Sequence, residues 1–233
     1  METDYERRLR ETVAEVQSCD AIRVHRFEQG TLSEYLGDAA HAFELIGRVE
    51  RNPLPADLAH NFHRRSDVEL AWRAKEPDEA IAGEFSLVHV ADALLAGPSA
   101  RLAELSACIP DKRLLEELRP FDTQPTGGTG SCAALRLTGN ATTAEIWYFT
   151  LTHGIMRLDL GYGEYLDLLL RVRGLHSWQY LFAELDPAEL HLSAVFSELR
   201  SGLEFLARTF PGDDLENLMS RLNALERRAN GPS

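Results

Sequence analysis

Asp57, His60 and His63 follow one another at intervals of three, so on a helix their side chains would share one face. Carboxylate and imidazole together are zinc ligands. The set lacks a fourth ligand, and Arg64 and Arg65 add repelling charge at once, so a solvated helix face is expected there. Asp159 and Glu164 are the nearest approach to an acid–base pair, but carboxylates also cap turns and helices, and spacing alone assigns them no proton transfer. The glycines of "GGTGS" at 127–131 would suit a phosphate cradle if a helix followed. The next residues instead have a strand pattern, so a loop is expected. His89 alternates with Val88 and Val90 and is read as a surface position. No GxSxG elbow, Walker A loop, GxGxxG turn or HExxH helix occurs, and no Ser/His/Asp or Cys/His set assembles without assuming a fold. No catalytic residue, metal ligand or cofactor is therefore assigned.

The aromatic residues are more distinctive. In "YGEYLDLLLRVRGLHSWQYLF" (162–182) a helical stripe of Tyr165, Leu168, Leu169 and Val172 runs up to Gly174, expected as the left-handed C′ residue. The "SWQYLF" that follows is expected to fold back against a sheet, mainly as core and in part as the rim of a groove. Trp147, in an alternating strand, is expected in the core. Trp72 and Trp178 stand near the ends of elements and are the candidates to reach a surface groove.

Several elements must position these residues. Tyr5, Leu9, Val13 and Val16 mark a first helix, and Ile22, Val24 and Phe27 a short strand. A second helix, capped by Thr31 or Ser33, carries Leu36, Ala39, Phe43 and Ile46; a third, short one begins at Pro55. "VELAWRA" is a strand with Val68, Leu70 and Trp72 on one face, and "EFSLVHVADALLAG" begins as strand and ends as a helical turn. Residues 97–130 are expected to be loop, interrupted by a short helix over 111–118. A meander follows over 133–137, 145–151 and 155–160, with a turn at His153-Gly154. Two helices close the chain, one opened by Asp186-Pro187 and one capped by Asp213 or Asp214. Helices around a mixed or mainly antiparallel sheet make an α+β fold.

Composition narrows the function classes. Among 233 residues, 24 Lys plus Arg stand against 37 Asp plus Glu, a net charge of −13. Such a chain repels a polyanion, so nucleic acid is not an expected partner, whereas a basic protein would be attracted. Arg221, Arg227 and Arg228 form the one basic patch and are expected to offset a helix dipole. Three scattered cysteines, no signal-like apolar segment and no long apolar run lead to the expectation of a cytoplasmic protein with no membrane partner.

Stretches in a fixed order give a resemblance. "NPLPADLAHNFHRRSDVELAW", "AGEFSLVHVADAL" and "EIWYFTLTHGIMRLDLGYGEYLDLLLRVRG" resemble successive segments of the SUKH superfamily, the Smi/Knr-type proteins, with "SWQYLF" as a tail. The resemblance covers about Ile46 to Phe182; Ser66-Asp67-Val68 departs from it where a glycine is expected. It implies a SUKH-like α+β domain over residues 1–186 and a helical extension over 187–233 packed on it. It also implies a non-catalytic binding protein, in bacteria an immunity protein that neutralises a partner toxin by steric occlusion. Trp72, Glu84, Asp159, Tyr162 and Trp178 are the expected partner-binding residues. Two other functions stay open: a regulatory or scaffold protein with an endogenous partner, and a small-ligand-binding protein or enzyme with an unrecognised site.

Overall fold

Alternating apolar residues that each bury one face set up a sheet, and the sheet positions everything else. A computed structural model describes residues 2–32, 39–50, 54–55, 58, 61–96, 112–124, 130–137, 143–184 and 192–229. Seven strands run antiparallel in simple sequence order: β1 (Ile22–Gln29), β2 (Asp67–Ala74), β3 (Ala82–Val88), β4 (Leu118–Thr123), β5 (Cys132–Arg136), β6 (Glu145–Thr150) and β7 (Gly154–Leu158). The described helices are α1 (Asp4–Ser18), α2 (Ala39–Glu50), α3 (Val90–Leu95), α4 (Lys112–Glu117), α5 (Tyr162–Arg171), α6 (Ser193–Thr209) and α7 (Glu216–Ala229). The chain is thus α+β, with an antiparallel rather than a mixed sheet.

One face of the sheet carries the main core. Val68, Leu70 and Trp72 of β2, Ile146 and Tyr148 of β6 and the apolar stripes of α1, α5, α6 and α7 form one buried cluster. Both C-terminal helices enter it, through Phe196, Leu199, Leu203, Leu218 and Leu222 among others. The alternate residues of β5 and β6, Cys132, Ala134 and Phe149, meet Leu114 and Leu115 of α4 on the opposite face. Trp147 belongs to that smaller cluster and is only half-buried, whereas Trp72 and Trp178 lie in the main core. The expected order of burial is therefore reversed, because Trp147 lies on the face that holds only the small α4 cluster, away from the main core.

β4 corrects the expectation of loop between 97 and 130. It holds Pro120, which has no N–H for a ladder, and a bulge falls between Pro120 and Asp122 against β5. Its pairing to β3 is short, limited to Ser86 with Thr123 and Leu87 with Asp122. His89 is also corrected. It is fully buried, and its Nδ1 accepts the Ala91 N–H at 3.0 Å, capping α3. At the last helix Asp214 accepts the Glu216 N–H at 3.2 Å, so the cap falls on Asp214. The expected capping of the second helix by Ser33, with Leu36, the metal pattern at Asp57 and His60, most of "GGTGS" and the Asp186-Pro187 start lie outside the described residues.

Candidate functional site

The segment after α5 enters the sheet where β3 and β4 part. Glu84 N–H donates to Gly174 O at 2.7 Å and His176 N–H to Ala82 O at 3.0 Å, so residues 174–176 occupy the free length of β3. A turn of 3-10 helix, Trp178–Leu181, carries the chain across to β7. There Asp159 N–H donates to Phe182 O and Glu184 N–H to Arg157 O, both at 2.8 Å. "SWQYLF" is thus a strap from the split at β3 to the outer edge of the sheet.

The turn that launches the strap needs positive φ at three places. Arg173, Gly174 and Ser177 have φ of 50°, 68° and 65°. Arg173 N–H donates to Leu170 O at 3.1 Å and Gly174 N–H to Leu169 O at 3.0 Å, the bonding of a Schellman cap. The C′ residue is therefore Arg173, and Gly174 follows it, which shifts the expected stop by one residue. What compensates a left-handed arginine is its side chain. Only 3% exposed, it pairs with Glu15 of α1 at 2.7 Å and with Asp213, and its guanidinium lies 3.6 Å from the centre of the Phe210 ring.

Four of the five expected partner-binding residues lie inside this construction. Trp72 donates its indole N–H to Arg173 O at 2.7 Å and stacks on Phe205. Trp178 is fully buried against Tyr165 and Phe182. Tyr162 packs edge-on to Phe121, and Glu84 is 3% exposed with a carboxylate oxygen 3.9 Å from His176 Nε2. As placed here these four build the interior and offer a partner no surface. Asp159 alone of the five is open, its side chain 74% exposed.

Polar groups are also drawn inside. Asp122 accepts the Tyr165 hydroxyl at 2.7 Å and the Ser86 N–H at 3.1 Å, and Gln179 Nε2 reaches the same hydroxyl at 3.3 Å. Burial raises the Asp122 carboxyl to about 7, although the Tyr165 and Ser86 hydrogen bonds favour its charged form. Asp159 and Glu164 form no acid–base pair of this kind. Asp159 faces Arg221 at 3.6 Å, and Glu164 accepts the Gly161 N–H at 2.8 Å to cap α5. Among the described residues no group of three or more His, Cys, Asp or Glu could hold a metal ion.

The open feature beside the strap is a groove of about 480 Å³ between α5 and α7. Leu160, Leu168, Phe182 and Leu218 form its floor, and Glu164, Asp167, Arg171 and Arg221 its walls. Arg221 stacks over Phe182 at 4.4 Å and donates from Nε to Leu181 O. It is thus fixed to the strap rather than serving as a helix-end counter-charge. Asp167 is held by Arg8 at 2.8 Å. Of the residues singled out in the sequence, Glu164, Leu168, Phe182 and Arg221 line it and Asp159 adjoins it, although other roles are expected of most of them. The walls come from 164–171 and 217–221, helix faces that become neighbours only when packed.

No protein-family model matches the chain, and neither does any curated protein or solved structure. No helix among the described residues is long and apolar enough to cross a membrane.

Proposed function

We propose that the chain is a non-catalytic protein-binding domain that uses the α5–α7 groove to hold a basic partner, most concretely as an immunity protein occluding a toxin domain. The observation that carries this is the groove itself: an apolar floor open to solvent, walled by Glu164 and Asp167 as well as Arg171 and Arg221, with exposed Asp159 next to Leu160 at its edge. Its occupant is an apolar side chain of the partner flanked by Lys or Arg, which the rim carboxylates would pair. The net charge of −13 supplies long-range attraction for the same partner. The toxin part of the proposal draws on the SUKH resemblance of residues 46–182 and on nothing else.

The test is affinity capture from the native cells at low and moderate salt, paired with an Asn217→Trp variant. Asn217 is exposed on the groove wall, so the indole would fill the groove without disturbing the core. Support is a stoichiometric basic protein whose activity the chain blocks and which the variant fails to hold. Absence of any partner at both salts, or equal capture by the variant, would overturn the proposal.

A further inference from the structure

The groove between α5 and α7 has a direction as well as a place. Leu160, Glu164, Asp167, Leu168 and Arg171 are spaced by threes and fours, so they line one face of α5 and of the chain leading into it. Asn217, Leu218 and Arg221 do the same on α7. From Glu164 to Arg171 is two turns, about 10 Å at the helical rise per residue. None of the lining residues belongs to a strand. The strap carbonyls beside the floor are already taken, Leu181 O by Arg221 and Phe182 O by the Asp159 N–H. An extended segment laid here would find no ladder to join and would hold its backbone N–H and C=O groups over an apolar floor. A helix brings those groups satisfied and needs only a trough between two helix faces.

The charges are ordered along the groove. At the N-terminal end of α5 stand Asp159, loosely engaged by Arg221 at 3.6 Å, and Glu164, which caps the helix and has no ion pair among the described residues. Asp167, in the middle, is held by Arg8 at 2.8 Å. At the far end Arg171 is exposed and likewise has no ion pair among the described residues. A helix carries acidic residues best in its first turn and basic ones in its last. Such a helix matches this order only when it runs antiparallel to α5. Its last turn then lies beside Asp159 and Glu164 and its first beside Arg171.

We propose that the groove receives an amphipathic helix of the partner, antiparallel to α5, with Asp or Glu in its first turn and Lys or Arg in its last. Its apolar residues, at i, i+3 or i+4 and i+7, sit on Leu160, Leu168, Phe182 and Leu218. The proposal rests on the groove being the partner-binding site and adds which element of the partner enters it and which way it points. The apolar floor supplies affinity, and the exposed charges at the two ends fix the direction.

The experiment selects peptides of about 16 residues, some four helical turns, from a random phage library on the full chain. The synthetic peptides are then titrated by fluorescence and followed by circular dichroism, which also confirms that each variant is folded. Support is a set of peptides with this spacing and charge order that turn helical on binding and weaken at least tenfold on Asn217→Trp. They should also weaken on Arg171→Glu and recover when Lys replaces the acidic residue of the peptide's first turn. Peptides that need the groove but stay extended, or carry the opposite charge order, overturn the proposal and leave the groove as the binding site. Peptides that bind Asn217→Trp as tightly as wild type overturn both. A library that yields no binder overturns the helix, as does a chain that sediments as a dimer and becomes monomeric in Asn217→Trp, which would give the groove to a second copy.

Discussion

The indole N–H of Trp72 donates to the carbonyl oxygen of Arg173 at 2.7 Å, across 101 residues of sequence. This bond ties β2 to the left-handed turn that launches the strap. It is possible because Gly83, paired with Trp72 across β2 and β3, has no side chain; a Cβ there would lie 2.5 Å from the indole. Gly83→Ala should therefore cost about 1–3 kcal/mol in urea unfolding, the usual range for overpacking. A neutral result would mean that the indole can shift and that the bond to Arg173 is not needed.

Arg173 combines a conformational cost with an electrostatic gain, and two substitutions separate them. Arg173→Ala keeps the strained φ of 50° but loses the pairs with Glu15 and Asp213 and the packing on Phe210. A loss of about 2–3 kcal/mol is expected, below the full range for a buried pair because Glu15 is 55% exposed. Arg173→Gly loses the same contacts but adopts positive φ freely, so it should be about 1 kcal/mol less destabilised than the alanine variant. Equal melts for the two would show that the turn stores no strain.

The contrast between β2 and β4 shows what the sequence could reveal. Val68, Leu70 and Trp72 alternate cleanly, because β2 has a full-length partner on each side and one face on the helices. "LRPFDT" hides its strand: Pro120 breaks the pattern at a bulge, and only two residues pair with β3. His89 misleads differently, since it completes an alternation with Val88 although the chain has already turned into α3. Histidine is an unusual cap, so local pattern alone could not assign it. The groove was the least legible, because Phe182 and Arg221 meet only through the packing of α7 on the strap.

Three buried groups give stability a pH dependence of predictable sign. Burial lowers His63 to about 4 and His89, aided by the neighbouring His63, to about 3, each from an ordinary 6.5. Both bind a proton on unfolding below pH 6.5, so stability falls as pH drops through that range. Asp122, raised to about 7, works the other way: between about pH 4 and 7 the folded state carries a proton that the unfolded state lacks. From pH 6 to 5 the histidines prevail, for a net loss of about 1.4 kcal/mol per pH unit for each excess proton. Asp122→Asn should steepen that slope by about one proton and raise stability at pH 8. Urea unfolding at half-unit intervals of pH would read both, and an unchanged slope would mean that Asp122 is ionised when folded.

Trp178→Ala should lower stability by about 3–5 kcal/mol, as other large-to-small core changes do. Trp178→Phe should cost far less, because the indole N–H is buried without a partner and its removal relieves an unsatisfied donor. Partner binding lost at an unchanged melting temperature would instead place Trp178 at an interface, contrary to its complete burial.

Groove and charge should leave different marks on the kinetics of partner binding. Asp159 is exposed and only loosely engaged by Arg221 at 3.6 Å, so under the proposed function its carboxylate would act on an approaching basic protein rather than on the fold. Asp159→Asn should lower the association rate a few-fold at low salt and leave melting within about 0.5 kcal/mol of wild type. Asn217→Trp blocks the floor formed by Leu168, Phe182 and Leu218 and should raise the dissociation rate tenfold or more. Surface plasmon resonance across a salt series separates the two effects. If both variants altered association alone, the contact would be steered by charge and made elsewhere on the surface, since a filled groove must weaken whatever it holds.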